Sequence, residues 1–521
     1  MKAPARQMSK RNFALLVFVT MLVGIGLRFV EVDKKIFWFN EIFTALRLSC
    51  EFETRGHFPE LLGEQPVLPS TLTTYQIPNA DDGYFCIVRS LAAKDRLHPP
   101  LYYFVLRGWV DLVGFSTENL RLLSGFFSVL LLGAAGWLGR ELFQSDRAGL
   151  AMAALVAVSP IFIRYAQEAR SYTLWLLFGV LAAVFFLRAL RGTGVRDWWL
   201  CLLLLAVAFW IHLLTISLLV SFALFLLLRD GLRLTQSAKR LALVGAAAIF
   251  LISPWLLQIA LHLARRGGAA GHLTEALDPA FLLGAFGQNL GHVLLSWNVE
   301  NAVAGGLALF ALVALFAVSV HRLWTSASRS ALLFIAALIV PCLVITIFAD
   351  LAMGGQRSLR ARYIFPLFVA ILLAFAYLLA SLSTSTRGRA WMIFVFLAAG
   401  GLSSLHAVLA PTWWGVSKVD QQVLAVLKEE PQTLVITDVV YGVIAPLGHR
   451  LDDRTAFLLV PRSATPVIAE GFERYLLYQP SAELYQAVER EAGSPLELEF
   501  ETARRDGKLY RLYTVPDGVA R

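Results

Sequence analysis

The sequence predicts a mainly α-helical polytopic membrane protein: about 11 transmembrane helices, juxtamembrane helices on the outer face, and a small C-terminal α/β domain. Three observations predict it. Of 521 residues, 57% are hydrophobic and 16% charged, whereas a soluble globular chain is nearer 45–50% and about 25%. Apolar runs of roughly 17–25 residues recur, the length that crosses a bilayer. Arginines and lysines gather in the short links between those runs, the bias that marks the cytoplasmic side. The net charge of +9 is carried mainly by those links. This argues for a membrane protein and against a nucleic-acid partner.

The first span, about 13–30, follows a basic flank (Lys2, Arg6, Lys10, Arg11) and enters from the cytoplasm. Only VEVDKK follows it, with no small-residue cleavage site, so it reads as a retained span and not a signal peptide. A first outer loop occupies 31–118. Its segment HPPLYYFVLRGWVDLVG (98–114) is apolar but short, and it carries Arg107 and Asp111. If it crossed, every later arginine-rich link would fall outside. It is therefore placed as a helix lying on the outer surface, with Pro99 and Pro100 setting the turn into it.

The remaining spans then alternate: about 119–139, 148–164, 171–190, a run at 198–228, 241–258, 302–320, 330–349, 363–383 and 390–410. The run at 198–228 is too long for one crossing and is split near His212–Thr215, which puts His212 outside. A second surface helix is expected near 280–296. The N-terminus is then cytoplasmic and the C-terminal part extracytoplasmic. Residues 1–410 form the membrane domain. Residues 411–521 are polar, with strand-like runs (TLVITD, AFLLV, LELEFE, LYRLYTV) around helical stretches such as AELYQAVERE. The Trp pairs at 198–199 and 413–414 read as interface anchors. Cys50 and Cys86 share the first loop, where a disulfide and two unpaired thiols are both open.

Residues that break the charge bias carry the chemistry. Arg357, Arg360 and Arg362 fall outside, as do Arg170, Arg265 and Arg266. A guanidinium matches phosphate bidentately, so a lipid phosphate is the natural ligand; snorkelling to headgroups is the bland alternative. Glu41 and Glu168 sit beside span ends among the outer acids Asp81, Asp82 and Glu118. Sugar transfer from a phosphate donor needs a base for the acceptor hydroxyl and cationic stabilisation of the departing phosphate. Glu41 is expected to face an outer-leaflet cavity; an ion pair with Arg47 or Lys35 is its bland reading, and a pair with Arg164 or Arg170 that of Glu168. His98, His212 and His292 lie on the same side, where a divalent metal ion held with an acid is one reading and ordinary hydrogen bonding the other.

Four motifs in order, FWFNEIFT, HPPLYYFVLRGWVDLVGFSTENLRLLS, SPIFIRYAQEARSYTLW and RARYIFP, span residues 36–366. In them the chain resembles bacterial family 39-type glycosyltransferases of the GT-C superfamily, the broad group of protein O-mannosyltransferases, aminoarabinose transferases and RgtA/B/C/D-like enzymes. The resemblance implies two surface helices in the first loop. It also implies transfer of a sugar from a polyprenyl-phosphate donor to a cell-envelope acceptor, among membrane lipids, on the outer face of the bacterial inner membrane. It implies Glu41, Asn40 or Glu168 in catalysis; by their place on the disfavoured side, Arg357, Arg360, Arg362 and Arg170 are expected on the donor phosphate. His98, Tyr102, His212 and Tyr363 would then line the substrate. Relatives usually read Asp-Glu in the first motif, the Asp being the acid/base; this chain has Asn40 there. The role then passes to Glu41, Glu168 or another acid, or catalysis is weakened or lost. A catalytically impaired relative acting in binding or assembly, and a lipid-phosphate transporter, are the competing classes. A transporter would show repeats or broken spans meeting at the midplane.

Overall fold

The computed structural model describes residues 10–51, 58–63, 65–192, 194–266, 277–295, 302–382, 387–428, 432–461, 464–503 and 509–516. Contacts divide the chain into two compact units. The first holds Met1–Val32, Asp95–Tyr102 and Leu120–Ala410; the second holds Asp33–Lys94, Tyr103–Asn119 and Pro411–Arg521. Most of the first outer loop, apart from Asp95–Tyr102, thus clusters with the C-terminal residues.

In the first unit every expected span falls on helix. The series runs Lys10–Leu27, Thr117–Phe143, Asp146–Ala157 with Pro160–Ala166, Tyr172–Arg191, Arg196–Ile211, Thr215–Asp230, Gln236–Arg266, Ala302–Ser326, Arg329–Leu343, Phe365–Leu382 and Arg387–Leu409. Among the described residues, seven helices are long and apolar enough to cross a membrane, or eight if the bent pair at Asp146–Ala157 and Pro160–Ala166 is one span. The expected eleven is therefore not reached by length and apolarity. Arg196–Ile211 and Thr215–Asp230 have 16 residues each, rising about 24 Å against a hydrocarbon core of about 30 Å. Leu101–Val113 has 13 residues, about 20 Å of rise, too short to cross. Pro279–Gly291, the second expected surface helix, also has 13.

Small residues bring these helices together. A Cβ on Gly24 would run into the Ala157 carbonyl; one on Gly139 would meet Met152 Cβ at 2.9 Å and the Ala148 carbonyl at 3.0 Å. The chain breaks between Ala157 and Pro160 and bends by 62°. Proline lacks an N–H and fits the first turn of a new helix, so Pro160 starts one there. The backbone groups freed by the break find partners on three other segments. Arg28, fully buried, donates to the Val156 carbonyl at 3.0 Å and the Ala157 carbonyl at 2.8 Å. Ser404 Oγ donates to the Val158 carbonyl, and the Ile161 N–H reaches the His292 carbonyl. A break with its polar groups paired is tolerable away from water; an unpaired one is costly.

The second unit contains a five-stranded sheet: β1 (Thr433–Thr437), β2 (Thr455–Leu459), β3 (Arg474–Tyr478), β4 (Glu497–Ala503) and β5 (Leu509–Val515). The order is β2-β1-β3-β5-β4. β1 pairs in parallel with β2 and β3, and β5 runs antiparallel to β3 and β4. All four strand-like runs read from sequence are strands. The parallel core strands are buried throughout, as sheets covered on both faces require. Segments of the first loop join this unit. Val67 exchanges backbone hydrogen bonds with Phe457, and a Gln76 amide N–H donates to the Tyr441 hydroxyl. Cys50 and Cys86 form a disulfide. Trp413 and Trp414 are buried, with Lys35 4.1 Å from the Trp413 ring. They are core residues of this unit, not the interface anchors expected; Trp199 is exposed as an anchor would be, while its neighbour Trp198 is buried.

Candidate active site

The first unit gathers its polar side chains where four segments meet: Asp95–Tyr102, the turn from Ala166 to Tyr172, the break between Ile211 and Thr215, and the start of the Phe365–Leu382 helix. Each is a helix end, where backbone groups lack intrahelical partners and side chains converge. His98 anchors the group. Its Nδ1 lies 2.6 Å from Asp95 Oδ1 and its Nε2 2.9 Å from Arg170 Nη2. Its ring centroid is 6.0 Å from that of His212. His212 is buried, and its Nδ1 accepts the Leu214 N–H. Trp175, Tyr172, Tyr165 and Phe365 form a continuous aromatic wall with centroids 4.8–6.3 Å apart. The Tyr172 hydroxyl is buried and has no hydrogen-bond partner among the described residues.

The two arginines of the group differ from the others in the chain. Arg170 is buried, donates to His98 and lies 5.8 Å over the Tyr172 ring. Arg362 is half-buried and feels the charge of Arg170. It has no ion pair among the described residues. By contrast, Arg357 donates to Asp350 Oδ1 at 2.9 Å, while the other oxygen of that carboxylate accepts the Ser358 N–H. Of the three expected phosphate arginines after span 9, Arg357 has an acid of its own, while Arg362 feels the charge of Arg170. Arg360 caps the short turn that carries Arg362. Tyr363 follows on that turn, its ring 5.2 Å from the Arg362 guanidinium. Tyr102 is buried at the other end of the Asp95–Tyr102 segment.

Glu168 is buried, 3.8 Å from Arg164, the local ion pair that was its bland reading. Asn40 and Glu41 belong to the second unit. Glu41 is buried there and its Oε2 accepts the Trp38 N–H at 3.3 Å, as a capping carboxylate does in a first helical turn. Thr44 Oγ donates to the Asn40 carbonyl. His292 spends its carbonyl on the helix break. The side chains of Arg265 and Arg266 lie outside the described residues. Among those described, one group of three or more His, Cys, Asp or Glu brings its ligand atoms within 4.8 Å of one another: Cys50, Asp82 and Cys86, whose sulfurs are joined in the disulfide. That is no cage for a divalent ion.

Asp95 was missed in the sequence. Its signal was the spacing: three residues before His98, in a turn that Pro99 and Pro100 end, the two side chains face each other. Tyr165 and Tyr172 were visible only as aromatic residues flanking Glu168 and Arg170.

With this geometry in place, comparison with known proteins is informative. Residues 97–257 match the family described as dolichyl-phosphate-mannose-protein mannosyltransferase. No curated protein matches the sequence significantly. Among solved structures, ArnT from Cupriavidus metallidurans bound to undecaprenyl phosphate is similar at a TM-score of 0.52 and 14% identity, over 98% of this chain and 100% of that one. Apo ArnT from the same organism is similar at a TM-score of 0.51 and 12% identity, over 97% and 98%. At such identity the likeness is one of fold. The resemblance to GT-C glycosyltransferases carried by the four motifs is thus met by a family match that includes two of them and by a shared fold over nearly the whole chain.

Proposed function

We propose that this protein is a membrane glycosyltransferase that moves a sugar from a polyprenyl-phosphate donor to an extracytoplasmic acceptor. The observation that carries the reading is that Arg362 and Arg170, whose charges repel, belong to one aromatic group. Two guanidinium groups in a largely water-poor, aromatic surrounding repel each other and are costly to desolvate. An anion between them relieves both costs. Phosphate suits a guanidinium fork, and the unpartnered Tyr172 hydroxyl adds a donor. The undecaprenyl phosphate in the similar ArnT structure supports a lipid-linked phosphate as that anion.

In the reaction the glycosidic C1–O bond to phosphate breaks and the phosphate gains charge. Arg362 and Arg170 meet that charge, and removing one such group costs about 2–4 kcal/mol of transition-state stabilisation. The acceptor oxygen bonds to C1 and gives up its proton to a base. The disulfide supports an extracytoplasmic second unit, because such bonds persist in oxidising compartments. We read all eleven helices as spans, with a cytoplasmic N-terminus in a bacterial inner membrane.

The test is release of undecaprenyl phosphate from lipid-linked sugars extracted from membranes, followed by mass spectrometry. Arg362→Ala should lose about 30- to 1,000-fold in turnover, with Arg362→Lys intermediate because the charge stays and the fork goes. Wild-type turnover in both, with Arg357→Ala as the comparison, overturns the reading. Asn40 favours one second reading, an impaired relative acting in binding. That protein would hold undecaprenyl phosphate yet release none from any sugar donor.

A further inference from the structure

Both carboxylates expected to serve as base are engaged: Glu168 with Arg164, and Glu41 with the Trp38 N–H. The position where relatives carry an acid is Asn40, and an amide takes no proton usefully near neutral pH. A histidine offers an alternative base. His98 is a side chain of the first unit with a basic lone pair and partial exposure. It shows 23% of its side-chain surface, as does Asp95.

Its two contacts define its tautomer. Arg170 can only donate, so the Nε2 at 2.9 Å must accept and carry no proton. Nδ1 then carries the proton and donates it to Asp95 Oδ1 at 2.6 Å. An imidazole held this way, with a carboxylate behind Nδ1 and a lone pair on Nε2, is arranged as a general base; the carboxylate orients the ring and offsets the charge it acquires. The lone pair points at Arg170, a cation of the same aromatic group.

We propose that His98, positioned by Asp95, is the general base for the acceptor hydroxyl in the transfer reaction. The inference rests on the glycosyltransferase reading. When a donor phosphate draws the Arg170 guanidinium, Nε2 is left facing the space beside that phosphate. The acceptor O–H proton passes to Nε2 as its oxygen bonds to the sugar C1. The C1–O bond to phosphate breaks, and its electron pair stays on the phosphate beside Arg170 and Arg362. Asp95 balances the imidazolium until its proton leaves with the phosphate or to water. Asp95 touches no reacting atom and is a positioning residue.

The test compares His98→Gln, His98→Lys and Asp95→Asn for undecaprenyl phosphate binding and for kcat across pH. The donor is the lipid-linked sugar that the wild type consumes. His98→Gln should keep undecaprenyl phosphate binding and lose about 10²–10⁴-fold in kcat. Any acid limb in the wild-type pH profile of kcat should be absent from this variant. Asp95, Arg170 and His212 are the charged or titratable groups in direct contact with His98, and all remain in that variant. His98→Lys is the discriminating variant. A lysine would bring a cation for phosphate but offers no lone pair at neutral pH, so it should stay as slow as His98→Gln. Asp95→Asn should lower kcat with KM little changed and move the acid limb; it serves the same purpose if the His98 variants fail to fold. Wild-type kcat in His98→Lys, or an unmoved acid limb in Asp95→Asn, overturns the inference while the glycosyltransferase reading stands. A wild type that consumes no lipid-linked sugar overturns both.

Discussion

Arg28 offers the sharpest test of how the helical unit is held. Its guanidinium is fully buried and donates to Ser128 Oγ at 2.8 Å, the Gly24 carbonyl at 2.6 Å, the Ala157 carbonyl at 2.8 Å and the Val156 carbonyl at 3.0 Å. The Gly24 bond is local to its own helix. The other three tie the end of Lys10–Leu27 to Thr117–Phe143 and to the C-terminus of Asp146–Ala157. Helix C-termini carry partial negative charge, so a cation there is favourable in its own right. Side-chain hydrogen bonds between membrane helices average about 0.6 kcal/mol and reach about 1.7. Three of them therefore contribute about 2–5 kcal/mol, with the charge placing Arg28 toward the upper end. Arg28→Met keeps the volume and removes every donor. It should lower the unfolding free energy in mild detergent micelles by that amount and lower turnover as well, since the chain from the break leads directly to Glu168 and Arg170. Arg28→Lys should recover part. Arg11→Met, at an exposed position on the same helix, should stay within about 0.5 kcal/mol of wild type. An Arg28→Met protein equally close to wild type would refute the clamp.

Two further expectations concern packing and cross-linking. Gly24→Ala should destabilise the helical unit, because the added methyl meets the Ala157 carbonyl, whereas Gly26→Ala meets nothing within 4 Å; equal thermal stability of the two in detergent would show that the helices can simply part. Replacing Cys50 and Cys86 by serine should cost the second unit about 2–4 kcal/mol, read as earlier proteolysis on heating. Both thiols alkylating in unreduced cells would show that no disulfide forms there.

Span positions were legible because apolar length and the break at His212–Thr215 are local signals; the helices end at Ile211 and restart at Thr215. The crossing count was less so, since Arg196–Ile211 and Thr215–Asp230 are short and their neighbours, not their own length, decide their setting. In the second unit, β3 went unread. RYLLY has no alternation and no turn pair at its ends, as befits a strand buried between β1 and β5. The helix Tyr441–Gly448 contains Pro446, which reads as a breaker. Trp413 and Trp414 follow a span end and mimic interface anchors; only the tertiary fold shows them buried beside Lys35.

The arginines show why charge bias locates a site without resolving it. In sequence Arg357, Arg360 and Arg362 are one cluster on the disfavoured side. What separates them is the partner each finds in space. Arg357 reaches back to Asp350, seven residues earlier across a turn through Gly354, and becomes part of that loop. Arg164 does the same with Glu168, and Arg28 with carbonyls of a broken helix. Each is an arginine whose charge is answered by the chain itself. Arg362, two positions past Arg360 on a turn that ends at Phe365, is carried into the aromatic group with Arg170. A second arginine is the least favourable neighbour it could have in the free protein. On the proposed reading, two cations held by helix ends favour an anion that neither contact alone reveals. The same logic places Asp95: its carboxylate meets Nδ1 of the His98 ring, while Arg170 meets Nε2.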